Sequence, residues 1–202
     1  MFEERIVLDS AEFNLRHLTD SADDRQRIAT FSAGKNALGL ERYLKDCSVG
    51  HELAGENRTY LVLDAITDEL ACYFTLRSGL IPVPENTGEG YLSTLSGMEL
   101  AYFAVNENYR RSKTKTTNTR IGFYVFDRFI LPIAKHVSRI IGARILFVYA
   151  LPHPKLMSYY ANTLGFRTLP RELERFLYDR VKPDSDEGRD VYSCFSHCRR
   201  RQ

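Results

Sequence analysis

Apolar and polar residues recur along this chain with a period that changes from segment to segment, and each change predicts an element. "SADDRQRIATF" and "NALGLERYLKDCSVGHEL" carry helical spacing, the second with Leu38, Leu40, Tyr43 and Leu44 on one face. "RIVLDSAEFNLRHL" holds short β-like runs, and "TYLVLDAI" and "LACYFTLRSG" are β-rich runs parted only by Thr67-Asp68-Glu69, which predicts a hairpin. Residues 82–97, "PVPENTGEGYLSTLSG", are rich in Pro, Gly, Ser and Thr and read as a loop. "MELAYFAV" is apolar on both faces, as a central strand should be.

A helix is predicted from about Thr119 to Ile141, with Ile121, Val125, Phe129, Ile133, Val137 and Ile140 at helical intervals. Pro132 lies inside it and should kink or divide it, because proline lacks an amide donor. Gly142 ends the helix, "ARILFVYA" is a second two-sided strand, "HPKLMSYYANT" a short helix, and "LGF" turns out of it. The tail adds a helix-like "RELERFLYDRV", an acidic loop from Pro183 to Gly188, and "DVYSCFSHC", whose alternation fits a last strand. Antiparallel strands come first, then strand, helix, strand, helix and strand. The expected fold is α/β, a mixed central sheet of about six or seven strands flanked by helices, in one domain spanning 1–202.

Composition narrows the function classes. A chain of 202 residues suits one well-filled core, and a formal net charge of +2 argues against a protein held to nucleic acid mainly by phosphate contacts. Local basic patches remain at Arg110 to Lys115 and Arg199 to Arg201. "MFEERIVLDS" carries charges where a signal peptide needs an apolar run, and no segment has bilayer-spanning length, so a cytoplasmic protein without a membrane partner is expected. Cys47, Cys72, Cys194 and Cys198 are then expected as thiols. Cys194, His197 and Cys198 offer no evident fourth ligand, so no metal is expected.

The chemistry concentrates in "NENYRRSKTKTTNTRIGFYVFDRFILPIAKHV", where a basic, hydroxyl-rich loop joins the strand ending at Val105 to the long helix. First-turn helix amides lack intrahelical partners and attract phosphate, and Arg110, Arg111, Lys113, Lys115 and Arg120 add positive charge. The chain has neither the Gly-Lys-Ser/Thr ending of a P-loop nor the three glycines of a Rossmann fingerprint.

The order of elements resembles that of the GNAT superfamily of acetyl-coenzyme A dependent N-acetyltransferases, over roughly residues 30–170. "MELAYFAVNENYR" is similar to the family's fourth strand, "RIGFYVFDRFILPIAKHV" to its third helix, "GARILFVYAL" to its fifth strand, and "PKLMSYYANTLGF" to its Tyr-bearing helix followed by Gly-Phe. Residues 31–76, with a Leu-x-x-Tyr-Leu helix ahead of the hairpin, resemble the GNAT toxins of bacterial toxin–antitoxin pairs, which acetylate aminoacyl-tRNA.

The resemblance implies roles at matching positions. Main chain from Phe103 through Ala104 to Val105 would pair with the pantetheine arm of acetyl-CoA, and the amides of Thr119, Arg120, Ile121, Gly122 and Phe123 would hold the pyrophosphate, with Arg110 and Arg111 nearby. Glu99 would act as general base on the substrate ammonium, and Tyr160 as acid toward the departing thiolate. Two departures stand out. Only Gly122 survives of the family's glycine motif, with Arg120 at the preceding glycine position, where its side chain could block close backbone approach or bind the phosphates itself. The family's tyrosine lies four residues before the glycine, where this chain has Ala161, so a local helix irregularity is needed for Tyr160 to serve. The expected function is acetyl transfer to a primary amine, with tRNA, a protein or a small amine as candidate acceptor and an antitoxin or a second copy as candidate partner. The alternative is a catalytically inactive GNAT-fold module that binds RNA or a protein.

Overall fold

A computed structural model describes residues 10–84, 92–112, 120–151, 153–169 and 192–197. Its strands are β1 (Phe13–His17), β2 (Arg58–Asp64), β3 (Leu70–Pro84), β4 (Leu92–Val105), β5 (Ile145–Ala150), β6 (Arg167–Thr168) and β7 (Tyr192–His197). They form a seven-stranded sheet in the order β1-β2-β3-β4-β5-β7-β6. β1 and β3 flank β2 antiparallel, β4 and β5 run parallel, and β7 pairs antiparallel with both β5 and β6. The sheet is therefore mixed, as expected.

The helices are α1 (Ala22–Ala29), α2 (Leu38–Arg42), α3 (Ser48–Leu53), α4 (Glu107–Arg111), α5 (Ile121–Val125), α6 (Leu131–Ile141) and α7 (Pro154–Ser158). Three π turns extend or join them: Tyr43–Cys47 between α2 and α3, Phe126–Ile130 between α5 and α6, and Tyr159–Thr163 after α7. Among the described residues no helix is long and apolar enough to cross a membrane.

The chain divides into two compact units, residues 1–77 with 101–133, and residues 78–100 with 134–202. In the first, Leu18, Ile28, Phe31, Tyr43, Leu44, Leu61, Leu63, Leu70, Tyr73 and Ala104 form one buried cluster. Ser21 caps α1 by accepting the amide of Asp24. In the second unit, Ile81, Ile145, Phe147 and Leu169 are the buried cluster. Gly142 and Gly165, at φ +70° and +74°, end the two helices that lead to and from β5.

Four expectations are corrected. The segment 82–97 is not a loop throughout: β3 runs on to Pro84 and β4 begins at Leu92, so strand pairing overrides the turn-like composition there. Pro132 does not divide its helix. The Leu131 amide bonds to the Phe126 carbonyl, so a π turn just ahead of the proline absorbs the disruption. Leu38 is 61% exposed, whereas Tyr43 and Leu44 on the same predicted face are buried. The long helix buries Ile121, Val125, Phe129 and Ile133, but Ile140, next to the last residue of α6, stands 67% exposed. Lys113, Lys115, Thr119, "RELERFLYDRV", the 183–188 loop, Cys198 and the terminal arginines lie outside the described residues.

Two sites define stability tests. A Cβ on Gly97 would lie 2.6 Å from Ile145 Cγ1 and 2.7 Å from the Ile145 carbonyl oxygen, and backbone cannot step aside. Gly97→Ala should cost about 1–3 kcal/mol in urea denaturation; an unchanged midpoint would show that β4 and β5 have room there. Asp24 is fully buried, takes the Thr19 hydroxyl at 2.6 Å and amide at 2.9 Å, and faces Arg16 at 3.1 Å and Arg27 at 3.3 Å. Burial alone would raise its pKa, but the two Thr19 bonds and the arginines outweigh burial and hold the carboxyl below its ordinary value. A depressed folded pKa contributes stability that is complete above the unfolded value near ~3.9 and is lost as pH falls through the folded value. Thermal melts between neutral pH and about pH 3 should therefore lose more stability in the wild type than in Asp24→Asn.

Candidate functional site

The end of β4 carries the first part of the site. The β4–β5 ladder consists of Gly97↔Ile145, Met98↔Leu146 and Glu99↔Phe147, although β4 continues to Val105 and β5 to Ala150. Met98, Glu99 and Leu100 are buried, while Ala101, Tyr102, Phe103 and Val105 are half-buried and Ala104 is buried. Apolar side chains on a central strand are ordinarily covered on both faces. Here Ala101, Tyr102, Phe103 and Val105 are covered only in part.

The second part is the start of the long helix. Arg120 occupies the N-cap position with extended backbone, φ −70° and ψ 92°, and no side chain caps the helix. The Tyr124 amide bonds the Arg120 carbonyl at 3.0 Å, which leaves the preceding first-turn amides without a partner inside the helix. Ile121 is buried, Gly122 half-buried, and Phe123 is 43% exposed. Arg120 itself is exposed.

Aromatic packing fixes this helix start. The Tyr124 ring meets Phe13 edge-on at 5.3 Å and Phe129 at 6.2 Å, and Phe13 in turn meets Tyr109 at 6.3 Å. The Tyr109 hydroxyl donates to buried Asp64, whose other oxygen accepts the Ile66 and Thr67 amides of the β2–β3 turn at 2.9 and 3.0 Å. Tyr109, Tyr124, Phe13 and Asp64 were not legible as site supports, because their partners are distant in sequence.

Arg110 and Arg111 come together, but on a carboxylate: Glu107 accepts from each at 2.7 Å. These side chains are 62% and 77% exposed, so each pair contributes about 0–1 kcal/mol and rearranges at little cost when an anion competes.

In the other unit, Glu99 is 7% exposed at the ladder's last pair. Tyr160 is also 7% exposed, with Phe166 edge-on at 5.6 Å and Tyr159 at 6.1 Å. It lies in the π turn Tyr159–Thr163, where the Leu164 amide bonds the Tyr159 carbonyl at 3.1 Å. A π turn takes one extra residue into the helix. The extra residue falls between Tyr159 and Leu164, on the helix that carries Tyr160.

Neither a family model nor a curated protein matches this sequence. Solved structures do. A tyrosine-to-phenylalanine mutant of KacT is 18% identical, with a TM-score of 0.61, covering 93% of this chain and 95% of its own. AtaT complexed with acetyl-methionyl-tRNAfMet is 18% identical at a TM-score of 0.60, over 92% and 95% of the two chains. A tyrosine-to-phenylalanine AtaT mutant toxin, bound to the C-terminus of the antitoxin AtaR and acetyl-CoA, is 19% identical at 0.57, over 93% and 94%. The chain has the GNAT fold. In chain order β4, the helical run from Ile121, β5 and the helix bearing Tyr160 follow one another.

An uncapped helix start sacrifices stability that a capping side chain would supply. Arg120→Asp places an acceptor at the N-cap and should stabilise the protein by about 0.5–2 kcal/mol. A urea midpoint equal to the wild type's would mean that the first-turn amides are already satisfied.

Proposed function

We propose that this protein is an acetyl-CoA dependent N-acetyltransferase whose acceptor is the amino group of an aminoacyl-tRNA. The observation that carries the proposal is the short β4–β5 ladder, followed in the chain by an uncapped long helix. Open strand main chain suits the amides of a pantetheine arm, and first-turn amides suit a diphosphate. Likeness to a toxin solved with acetyl-CoA and to one complexed with acetyl-methionyl-tRNAfMet supports both the donor and the acceptor class. The role is that of a toxin, with a cytoplasmic location and a partner antitoxin.

Phe103, Ala104 and Val105 would align the arm, while Arg120 to Phe123 hold its pyrophosphate, with Arg110 and Arg111 released from Glu107 to add charge. Thr119 joins them in the same role. Glu99 removes a proton from the substrate ammonium, directly or through water, which frees the nitrogen lone pair. That pair forms the new C–N bond at the thioester carbonyl as the C–S bond breaks. Tyr160 gives its proton to the departing sulfur, and the second proton that the nitrogen sheds as the amide forms returns to Tyr160 through water. Burial of Glu99 and Tyr160 keeps both side chains fixed for these transfers.

Titration calorimetry should show acetyl-CoA binding, and thiol release should follow on addition of charged tRNA. Glu99→Gln and Tyr160→Phe should each lower kcat by roughly a hundredfold or more while leaving acetyl-CoA affinity near wild type. Expression should arrest bacterial growth, and each substitution should relieve it. Folded protein that neither binds acetyl-CoA nor releases thiol would falsify the enzyme reading; salt-sensitive RNA retention by that same protein would favour a binding module instead.

A further inference from the structure

Every polar group of Asn106 is engaged, although it is only 4% exposed and follows directly on Val105. Its backbone amide donates to the Ala71 carbonyl at 2.9 Å, and its side-chain Nδ2 donates to the Leu70 carbonyl at 2.7 Å. Its Oδ1 accepts the amides of Asn108 at 3.1 Å and Ser32 at 3.3 Å, and its carbonyl accepts the Arg110 amide at 2.9 Å. One residue thus ties β3, the loop after α1, and α4 to the last residue of β4.

The two bonds to β3 need a backbone irregularity. In a regular strand, consecutive carbonyls point to opposite edges. The β2–β3 register shifts here, with Val62 opposite Cys72 and Leu63 opposite Leu70, so Ala71 is the extra residue of a bulge. The bulge brings two successive carbonyls to one partner, and only a side chain that donates and accepts at once can serve it. Asparagine meets that need. Aspartate would still accept the Ser32 and Asn108 amides but would turn an acceptor toward the Leu70 carbonyl.

We infer that Asn106 is a positioning residue for the proposed reaction: by clasping the Leu70–Ala71 bulge it sets where the Phe103–Val105 main chain lies and so where an acetyl-coenzyme A arm is held. The inference rests on the proposed cofactor reading for its consequence, but its first step stands without ligand. Asn106 touches neither donor nor acceptor and acts only through the strand.

The test has two arms. Hydrogen exchange on the apo protein compares wild type, Asn106→Asp, the milder Asn106→Ala, and Asn108→Ala. This last control removes only an exposed side-chain bond to the Thr30 carbonyl at 3.1 Å. Asn106→Asp and Asn106→Ala should speed exchange at the Phe103–Val105 amides roughly tenfold relative to β2, and Asn108→Ala should not. Calorimetry then compares acetyl-CoA with ADP, which has the pyrophosphate but no arm. Asn106 variants should bind acetyl-CoA about tenfold more weakly, with ADP affinity changed less than about twofold. Unaltered exchange at 103–105, or equal losses for both ligands, overturns the positioning role. If wild-type protein binds neither ligand while local exchange still responds to Asn106, the clasp on β4 stands and the cofactor reading falls.

Discussion

Sheet main chain must be paired, and β4 meets that constraint in an unusual way. Its ladder with β5 ends at Glu99, yet the strand keeps its course to Val105. A strand that stops pairing on one side loses hydrogen bonds that would otherwise hold its direction. Here the far end is held from β3, through Asn106 and the bulge at Ala71, and the half-buried Phe103 and Val105 remain accessible. Under the proposed cofactor reading, a cosubstrate arm with amides of its own would pair with the Phe103–Val105 main chain. Binding by strand-like hydrogen bonds needs little shape selection by side chains, which leaves the surrounding residues free to vary.

The π turns share a logic with that strand. Each inserts one residue into a helix and rotates everything beyond it, so a side chain reaches a face that the 3.6-residue period denies it. The turn Tyr43–Cys47 opens on Tyr43, whose ring stacks on Tyr102 of β4 with centroids 3.4 Å apart while its hydroxyl accepts from Asn57 at 2.9 Å. In Phe126–Ile130 the turn accommodates Pro132, and in Tyr159–Thr163 it sets Tyr160 against Phe166. Two of the three carry aromatic residues beside segments of the proposed site. Lost α-helical hydrogen bonds are a modest cost when the displaced ring is buried in exchange.

Much of the fold was legible because apolar period, turn residues and terminal glycines agree. The hairpin at Thr67–Glu69, the helix end at Gly142 and the two-sided strands β4 and β5 follow from local chemistry alone. The strand extensions to Pro84 and from Leu92 were not legible, because their Pro, Ser and Thr content competes with a pairing that only tertiary structure reveals. The π turn before Pro132 was half legible: proline announced a disruption, but its form depends on how the helix packs. In the candidate site, Gly122, Arg120 and the Tyr160 register problem were legible only through the family resemblance. Asn106 was not legible, since its partners lie on β3 and in the loop after α1, and a single polar residue after a strand has no sequence signature for burial.

The helix start shows how stability and binding oppose each other in this chain. Ser21 caps α1 and Asn106 accepts the Asn108 amide at the start of α4, whereas α2, α3 and α7 begin without a side-chain cap. The longest helical run opens on Arg120, which cannot accept an amide hydrogen bond. Its charge would also be unfavourable beside the positive end of the helix dipole in the absence of an anion. Both penalties reverse when a phosphate arrives: the amides gain acceptors and the guanidinium gains a counter-charge. An arginine at this position is thus poorly matched to an empty helix end and well matched to an occupied one. Under the proposed cofactor reading, that is how Arg120 would serve a phosphate in place of the customary glycine.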